Sequence, residues 1–364
     1  MRSNTRRTTR GRAILVGIGL TATLAVSGCS ANYWPDFGPE PAVVAEAETA
    51  EPSGLAPVPV SEAQIQKIVD RVASAANKGD EKLDAEAITA RFKGDALAQR
   101  TANYKIRADV PEYGSVPAKI TNDMLGYRLV QSTEGWPRTL FVTVASEAGK
   151  DTDGNVTDAP SLAMVLTQRL PQADYRASRV ISLRGGIEMP KAAPAEEGTA
   201  LLSDDIESLV LKPADVGAAY AAILQGGAEV PEAAPFDLTE DPLLDNYGKA
   251  WAAQAKAKSD ADEKTQTYSV DVTQGEEPIV SFSTGAGGAL IATTVLESQV
   301  VDSAGGRYKP QAEGAVSALS GLTGQQDKIV RKVAHQLLFF VPNKEDGSKI
   351  QLLGVTSELV GAGN

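Results

Sequence analysis

The chain has 364 residues, 42% of them apolar and 5% aromatic, with a formal charge of −12, one cysteine and one histidine. That length suits two compact domains, and the apolar share supports an aliphatic core. A single Cys and a single His exclude an intramolecular disulfide and a multi-histidine zinc site, and the acidic balance excludes nucleic-acid binding, so no cofactor and no nucleic-acid partner is expected.

The charge is uneven along the chain. Residues 1–28 hold five arginines (Arg2, Arg6, Arg7, Arg10 and Arg12) and no acid, so removing them takes the net charge to −17. Ala13 to Val26 is an uncharged stretch of 14 residues. A bilayer span needs about 20, so this stretch has the length of a signal-peptide apolar region. The Arg end stays cytoplasmic and the rest is sent across. Val26-Ser27-Gly28-Cys29 follows. This run resembles the lipobox of bacterial lipoproteins, an aliphatic residue and two small ones before Cys. The resemblance implies cleavage between Gly28 and Cys29 and a diacylglycerol thioether on Cys29. The partner is then membrane lipid, and the body lies on the outer face of the cell membrane. Acyl chains bind by about 0.8 kcal/mol per buried CH₂, and two chains give a stable anchor.

Residues 29–60 form the lipidated Cys and a tether. Residues 30–60 contain six Pro and five acidic residues, a composition that cannot bury a core. At roughly 3.1 Å per residue it reaches at most about 95 Å.

The first lobe is expected over 61–189. Ser61-Glu62-Ala63-Gln64 reads as a capping box, and Ile65, Ile68, Val69, Val72 and Ala76 recur at helical spacing until Asn77-Lys78-Gly79. A short second helix is expected near Asp84–Phe92, and a third beyond Gly94 carries Leu97, Thr101 and Tyr104 on one face. The period then changes from 3.6 to 2. Strands are expected at 124–131, 137–146, 161–170 and 174–184, connected as an antiparallel meander.

Residues 190–200 read as a Pro/Ala/Glu linker. The second lobe, 201–364, repeats the order. One helix starts at Pro213 with Val216, Tyr220, Ile223 and Leu224 in a stripe and ends at Gly226-Gly227. Another opens at Asp241-Pro242 with Leu243, Leu244, Tyr247 and Trp251 inward. Strands follow near 265–273, 278–283, 288–301, 329–341 and 349–360, the last two as a hairpin over Asn343–Ser348. The fold class is therefore α+β, two lobes of helices followed by a curved antiparallel sheet. That order of elements resembles the NTF2-like and cystatin-like folds.

Several runs are similar to an uncharacterised family of actinobacterial lipoproteins, some members of which are labelled glycosyltransferases. They are the lipobox, Tyr33-Trp34-Pro35-Asp36, Arg91-Phe92-Lys93-Gly94-Asp95-Ala96-Leu97, Arg100-Thr101-Ala102-Asn103-Tyr104 and Gln351-Leu352-Leu353-Gly354-Val355. The resemblance implies an envelope location.

Few residues fall in patterns that carry chemistry. Nucleotide-sugar sites lie on doubly wound folds with strand–helix alternation, which is absent here. Asp151, Asp153 and Asn155 match the first three ligand positions of an EF-hand loop, but Val156 stands where Gly is needed and Leu162 where Glu is needed, so the loop reads as a hairpin tip and at most a weak calcium site. No G-x-S-x-G or S-x-x-K occurs. His335 lies in an alternating strand and reads as structural. Asp204-Asp205 and Glu276-Glu277 sit in polar turns, and neighbouring strand residues point to opposite faces. The glycines at 285, 287 and 288 read as a hairpin turn. Two functions remain. One is a non-catalytic binding or scaffold protein taking a hydrophobic ligand or a membrane-protein partner. The other is an envelope enzyme using carboxylates on glycans or lipid-linked sugars.

Overall fold

A computed structural model describes residues 56–147, 159–262, 264–285 and 287–364. The first helix, α1, spans Glu62–Lys82 and starts as the capping box requires, with the Ser61 amide donating to Gln64 Oε1 at 2.7 Å. It runs past the expected stop at Gly79 because that glycine serves packing instead. A Cβ there would lie 2.5 Å from Ile88. Leu83, in the left-handed region, ends the helix. The helix expected near Asp84–Phe92 is only a 3₁₀ turn over Glu86–Ile88, after which Arg91 to Lys93 pair with the backbone of Ala177. The next helix, α2, covers Gly94–Asp109.

The strands β1 (Ile120–Val130), β2 (Arg138–Ser146), β3 (Ser161–Gln168) and β4 (Arg176–Ser182) form an antiparallel meander, as expected. α1, α2 and the segment between them bury Ile65, Val69, Val72, Phe92 and Ala96 against Leu140, Val142, Leu162 and Met164 on one sheet face.

In the second half, α3 (Pro213–Gly226) begins and ends close to expectation. The two-residue strand β5 (Phe236–Asp237) was not foreseen. The helix expected from Asp241 begins later, as α4 over Gly248–Ala261. Asp241 is the reason: its carboxylate accepts from Tyr220 Oη at 2.7 Å and from the Leu243 amide at 2.9 Å, which holds 242–246 in turns. The remaining elements are β6 (Thr267–Gln274), β7 (Val280–Ser283), β8 (Ala289–Asp302), β9 (Gln311–Ala312), the unforeseen α5 (Gly314–Ser320), β10 (Gly324–Gln325), β11 (Lys328–Val341) and β12 (Ile350–Gly363).

The larger sheet has the order β5-β12-β11-β8-β6. β7 and β6 share β8 as neighbour, β7 pairing Ala289–Ala292 and β6 pairing Val295–Asp302. All these pairings are antiparallel except β5–β12, which is parallel. α3 packs Val216, Tyr220 and Ile223 onto Ile291, Leu337 and Phe339.

The two sheets also bury their other faces on each other. Leu129, Phe141, Ala163, Val165 and Ile181 of the first meet Phe282, Leu290, Ala292, Leu338 and Leu353 of the second. The layers therefore run helices, sheet, sheet, helices. Sheets covered on both faces need apolar residues at consecutive positions, which is why Leu162 to Leu166 are all buried. Segment 190–200 threads this contact. Thr199 bridges Gln131 of the first sheet, and Ser283 of the second donates to the Ala200 carbonyl at 3.0 Å.

A buried arginine pins the sheets together. Arg179 on β4 is fully buried and donates to the carbonyls of Pro278 (2.9 Å) and Glu277 (3.0 Å) and to Thr294 Oγ1 (3.2 Å). Asp95 at the start of α2 accepts from Thr294 Oγ1 at 2.5 Å and lies 3.6 Å from the guanidinium. The run Arg91–Leu97 is thus the joint where α2 plugs into the second sheet.

Candidate functional site

The site grows from the outer edge of β12. β5 pairs only with Ile350 and Gln351, and Leu183 bridges Gly354. Beyond that point no strand pairs with the outer side of β12 among the described residues. An unpaired edge needs other cover, and α2 with segment 110–118 supplies it. Gln99 Nε2 donates to the carbonyls of Ala334 (2.9 Å) and Thr356 (3.2 Å), and Gln336 donates to Gln99 Oε1. Glu358 is almost fully buried and accepts from Asn103 Nδ2, Tyr113 Oη and Ser115 Oγ, each at 2.8 Å.

Two cavities flank this edge. One, about 270 Å³, is framed by Gln99, Arg100, Val116, Pro117 and Leu162. The other, about 410 Å³, is framed by Tyr113, Tyr247, Trp251, Gln299, Arg331 and Asn246. Ser115, Ser357 and Glu358 line both, and Glu358 is the one carboxylate in either wall. Gln299 is 2% exposed, and its Oε1 has no hydrogen-bond partner; Arg331 Nε is also buried and unpartnered. A buried polar atom left so costs about 1–3 kcal/mol. Burial, then the charge and hydrogen bond of Glu358, push the Tyr113 phenol well above its usual range, so it remains a donor. Burial likewise raises Tyr247.

Under the second cavity runs a line of three side chains on adjacent strands. His335 Nδ1 lies 2.7 Å from Ser357 Oγ, and its Nε2 lies 3.4 Å from Glu297 Oε2. Glu297 and His335 are both 0% exposed. Glu297 also accepts from the Gly248 amide (2.9 Å) and Gln299 Nε2 (2.6 Å). Burial alone would raise its carboxyl, but the bonds from His335, Gln299 and Gly248 outweigh that and hold it below the usual range. The Tyr247 ring meets the imidazole edge-on, centroids 4.5 Å apart.

The residues singled out in the sequence fare differently. Gly28, Cys29, Asp151, Asp153 and Asn155 lie outside the described residues. Among the described residues no group of three or more Asp, Glu, His or Cys could hold a metal, and no helix is long and apolar enough to cross a membrane. Asp205 bonds Ser203 in an exposed turn, and Glu277 lies 3.5 Å from Lys93 with its carbonyl on Arg179. Gly285, Gly287 and Gly288 turn the chain between β7 and β8, the Thr284 amide donating to Gly288 O at 3.2 Å. His335 sits in a buried strand, as read from its flanks. That Ser357 and Glu297 would meet it, and Gln299 would meet Glu297, is invisible in the sequence, because only strand register brings them together.

Fold and cleft define an α+β protein of stacked, mainly antiparallel sheets with a polar, aromatic-walled cleft at a sheet edge. The chain belongs to the family described as a domain of unknown function, DUF8094, whose model matches residues 56–364. No curated protein and no solved structure matches it.

Proposed function

We propose that this chain is a lipid-anchored binding protein of the bacterial cell envelope, and that the cleft at the β12 edge takes a small hydroxyl-rich ligand with an apolar face, a glycan unit being the class that fits. The observation that carries the reading is Gln299 Oε1, a buried acceptor without a partner in a wall that also holds Tyr113, Tyr247 and Trp251. Aromatic rings pack on the C–H face of a sugar, while planar amides, guanidinium and carboxylate bind its hydroxyls. A mostly preformed cleft with a few convergent polar groups is the usual form of a ligand site. The anchor is supported by Cys29, the single cysteine, behind five arginines and 14 uncharged residues. It would hold the protein on the outer face of the membrane, where glycans are abundant. The order α1, α2, then β1–β4, with α3 and α4 ahead of β6–β8, supports a reading as two lobes on one NTF2-like or cystatin-like plan.

Titrating the full-length protein with neutral disaccharides, with and without N-acetyl groups, tests this through Trp251 fluorescence in a Trp34→Phe, Trp136→Phe background, which leaves Trp251 as the one tryptophan. The expected result is a saturable change that Trp251→Phe removes and Gln299→Ala weakens about tenfold, the equivalent of one hydrogen bond. A flat titration across the panel overturns the ligand class.

A further inference from the structure

We propose that Ser357 is an acyl-accepting nucleophile activated by His335 and Glu297, and that the cleft hydrolyses small carboxylic esters. The three side chains share one face of the larger sheet. β11 and β12 pair His335 directly with Ser357, and β11 and β8 pair Val333 with Glu297, two residues along from His335. Side chains two apart on a strand point the same way, so Glu297 and His335 are diagonal neighbours.

Proton placement follows from the acceptors. An ionised carboxylate can only accept, so Nε2 of His335 carries the proton that faces Glu297. In the neutral imidazole Nδ1 then holds a lone pair, and the Ser357 hydroxyl, 2.7 Å away, donates to it. A hydroxyl hydrogen-bonded to a base that is oriented by a third group is the arrangement of an activated nucleophile. Tyr247 fixes the imidazole by its edge-on contact and shields it from water. Of the three residues only Ser357 lines the cavities.

The chemistry balances without a cofactor. Ser357 Oγ bonds to the ester carbonyl carbon as its proton passes to His335 Nδ1. The tetrahedral adduct collapses, the bond from carbon to the alcohol oxygen breaks, and Nδ1 returns the proton to the departing alcohol. Water then attacks the acyl-serine, losing a proton to Nδ1, and the acid leaves with Ser357 restored. Glu297 stays ionised throughout and balances the imidazolium through Nε2–H. The alcohol part of the substrate is small and polar, as in an O-acylated sugar. That match rests on the ligand reading above; the nucleophile does not.

The test is a biotinylated fluorophosphonate added to the full-length protein, with the labelled peptide identified by mass. The serine oxygen displaces fluoride from phosphorus and leaves a stable adduct, whatever the natural ligand. The expected result is one adduct, on Ser357, absent in Ser357→Ala and formed at least about a hundredfold more slowly in His335→Gln. Hydrolysis of p-nitrophenyl acetate follows the same pattern, and Glu297→Gln, which alters positioning, lowers kcat with KM unchanged. No adduct, or an adduct on another residue, overturns the proposal. If disaccharides still bind in that case, the nucleophile fails and the binding reading stands.

Discussion

Asn103 donates to Glu358 at 2.8 Å although 255 positions separate them, and this bond clamps α2 to the outer edge of β12. Tyr113 and Ser115 complete the clamp from the same carboxylate. Glu358→Ala strands four donors, the three side chains and the Leu359 amide, so the expected cost is about 1–3 kcal/mol for each donor that water cannot reach. Denaturant unfolding of the variant measures it, and a loss below about 0.5 kcal/mol would mean that the clamp is already solvated.

Gly248 has φ +58°, and a Cβ there would lie 2.0 Å from the Leu224 carbonyl oxygen. Its amide also donates to Glu297. Gly248→Ala therefore meets backbone that cannot rotate away, on top of the roughly 1–2 kcal/mol of a left-handed non-glycine residue. The variant is expected to lose about 3 kcal/mol or more and to displace Glu297, which a melting curve and a fluorophosphonate rate read separately.

Glu297 has a folded-state pKa below its unfolded value of about 4.3. Its contribution to stability is therefore fully present above that unfolded value and is lost as pH falls through the lower folded one. Asp95 and Asp241 act in the opposite sense, since burial raises both and acid relieves them. The pH 2–6 stability curve of wild type minus that of Glu297→Gln isolates the term, and the difference is expected to shrink toward acid. A difference that grows toward acid contradicts the assignment.

The shared core between the sheets makes the halves interdependent. Phe141 meets Phe282 with ring centroids 6.0 Å apart. Phe141→Ala is expected to cost about 3–5 kcal/mol and to lower a single unfolding transition, not one of two. A fragment limited to 61–189 exposes Leu129, Phe141, Ala163, Val165 and Ile181 and is expected to aggregate; a soluble, cooperatively melting fragment would show that the lobes stand alone.

Cys29→Ser is expected to release the protein from membranes or leave it as precursor. A membrane-bound, mature-sized band in the variant would contradict the lipid anchor.

Much of the fold was legible because its signals are local. The capping box at Ser61, the shift from period 3.6 to 2 after Pro111, and the Pro213 and Gly226-Gly227 bounds of α3 each lie within a few residues of what they specify. What escaped depended on distant partners. Gly79 looked like a stop and is a packing site for Ile88. Asp241 looked like a helix start and is held by Tyr220. β5 is too short to leave a periodic trace, and α5 is a single pair of turns. The cleft was illegible for the same reason. Glu297, His335 and Ser357 have no shared spacing, and only the alignment of three strands joins them. Arg179 read as one more strand residue, with nothing nearby to show that Asp95 would meet it.

The most direct test of the central claim is native mass spectrometry of the full-length protein taken from its own membrane in gentle detergent. The expected spectrum shows a chain beginning at an acylated Cys29 with one small hydroxyl-rich ligand bound, and the Trp251→Ala protein shows the same chain without it. Identical, ligand-free spectra for both, unchanged on adding the disaccharide panel, would contradict a glycan-binding cleft.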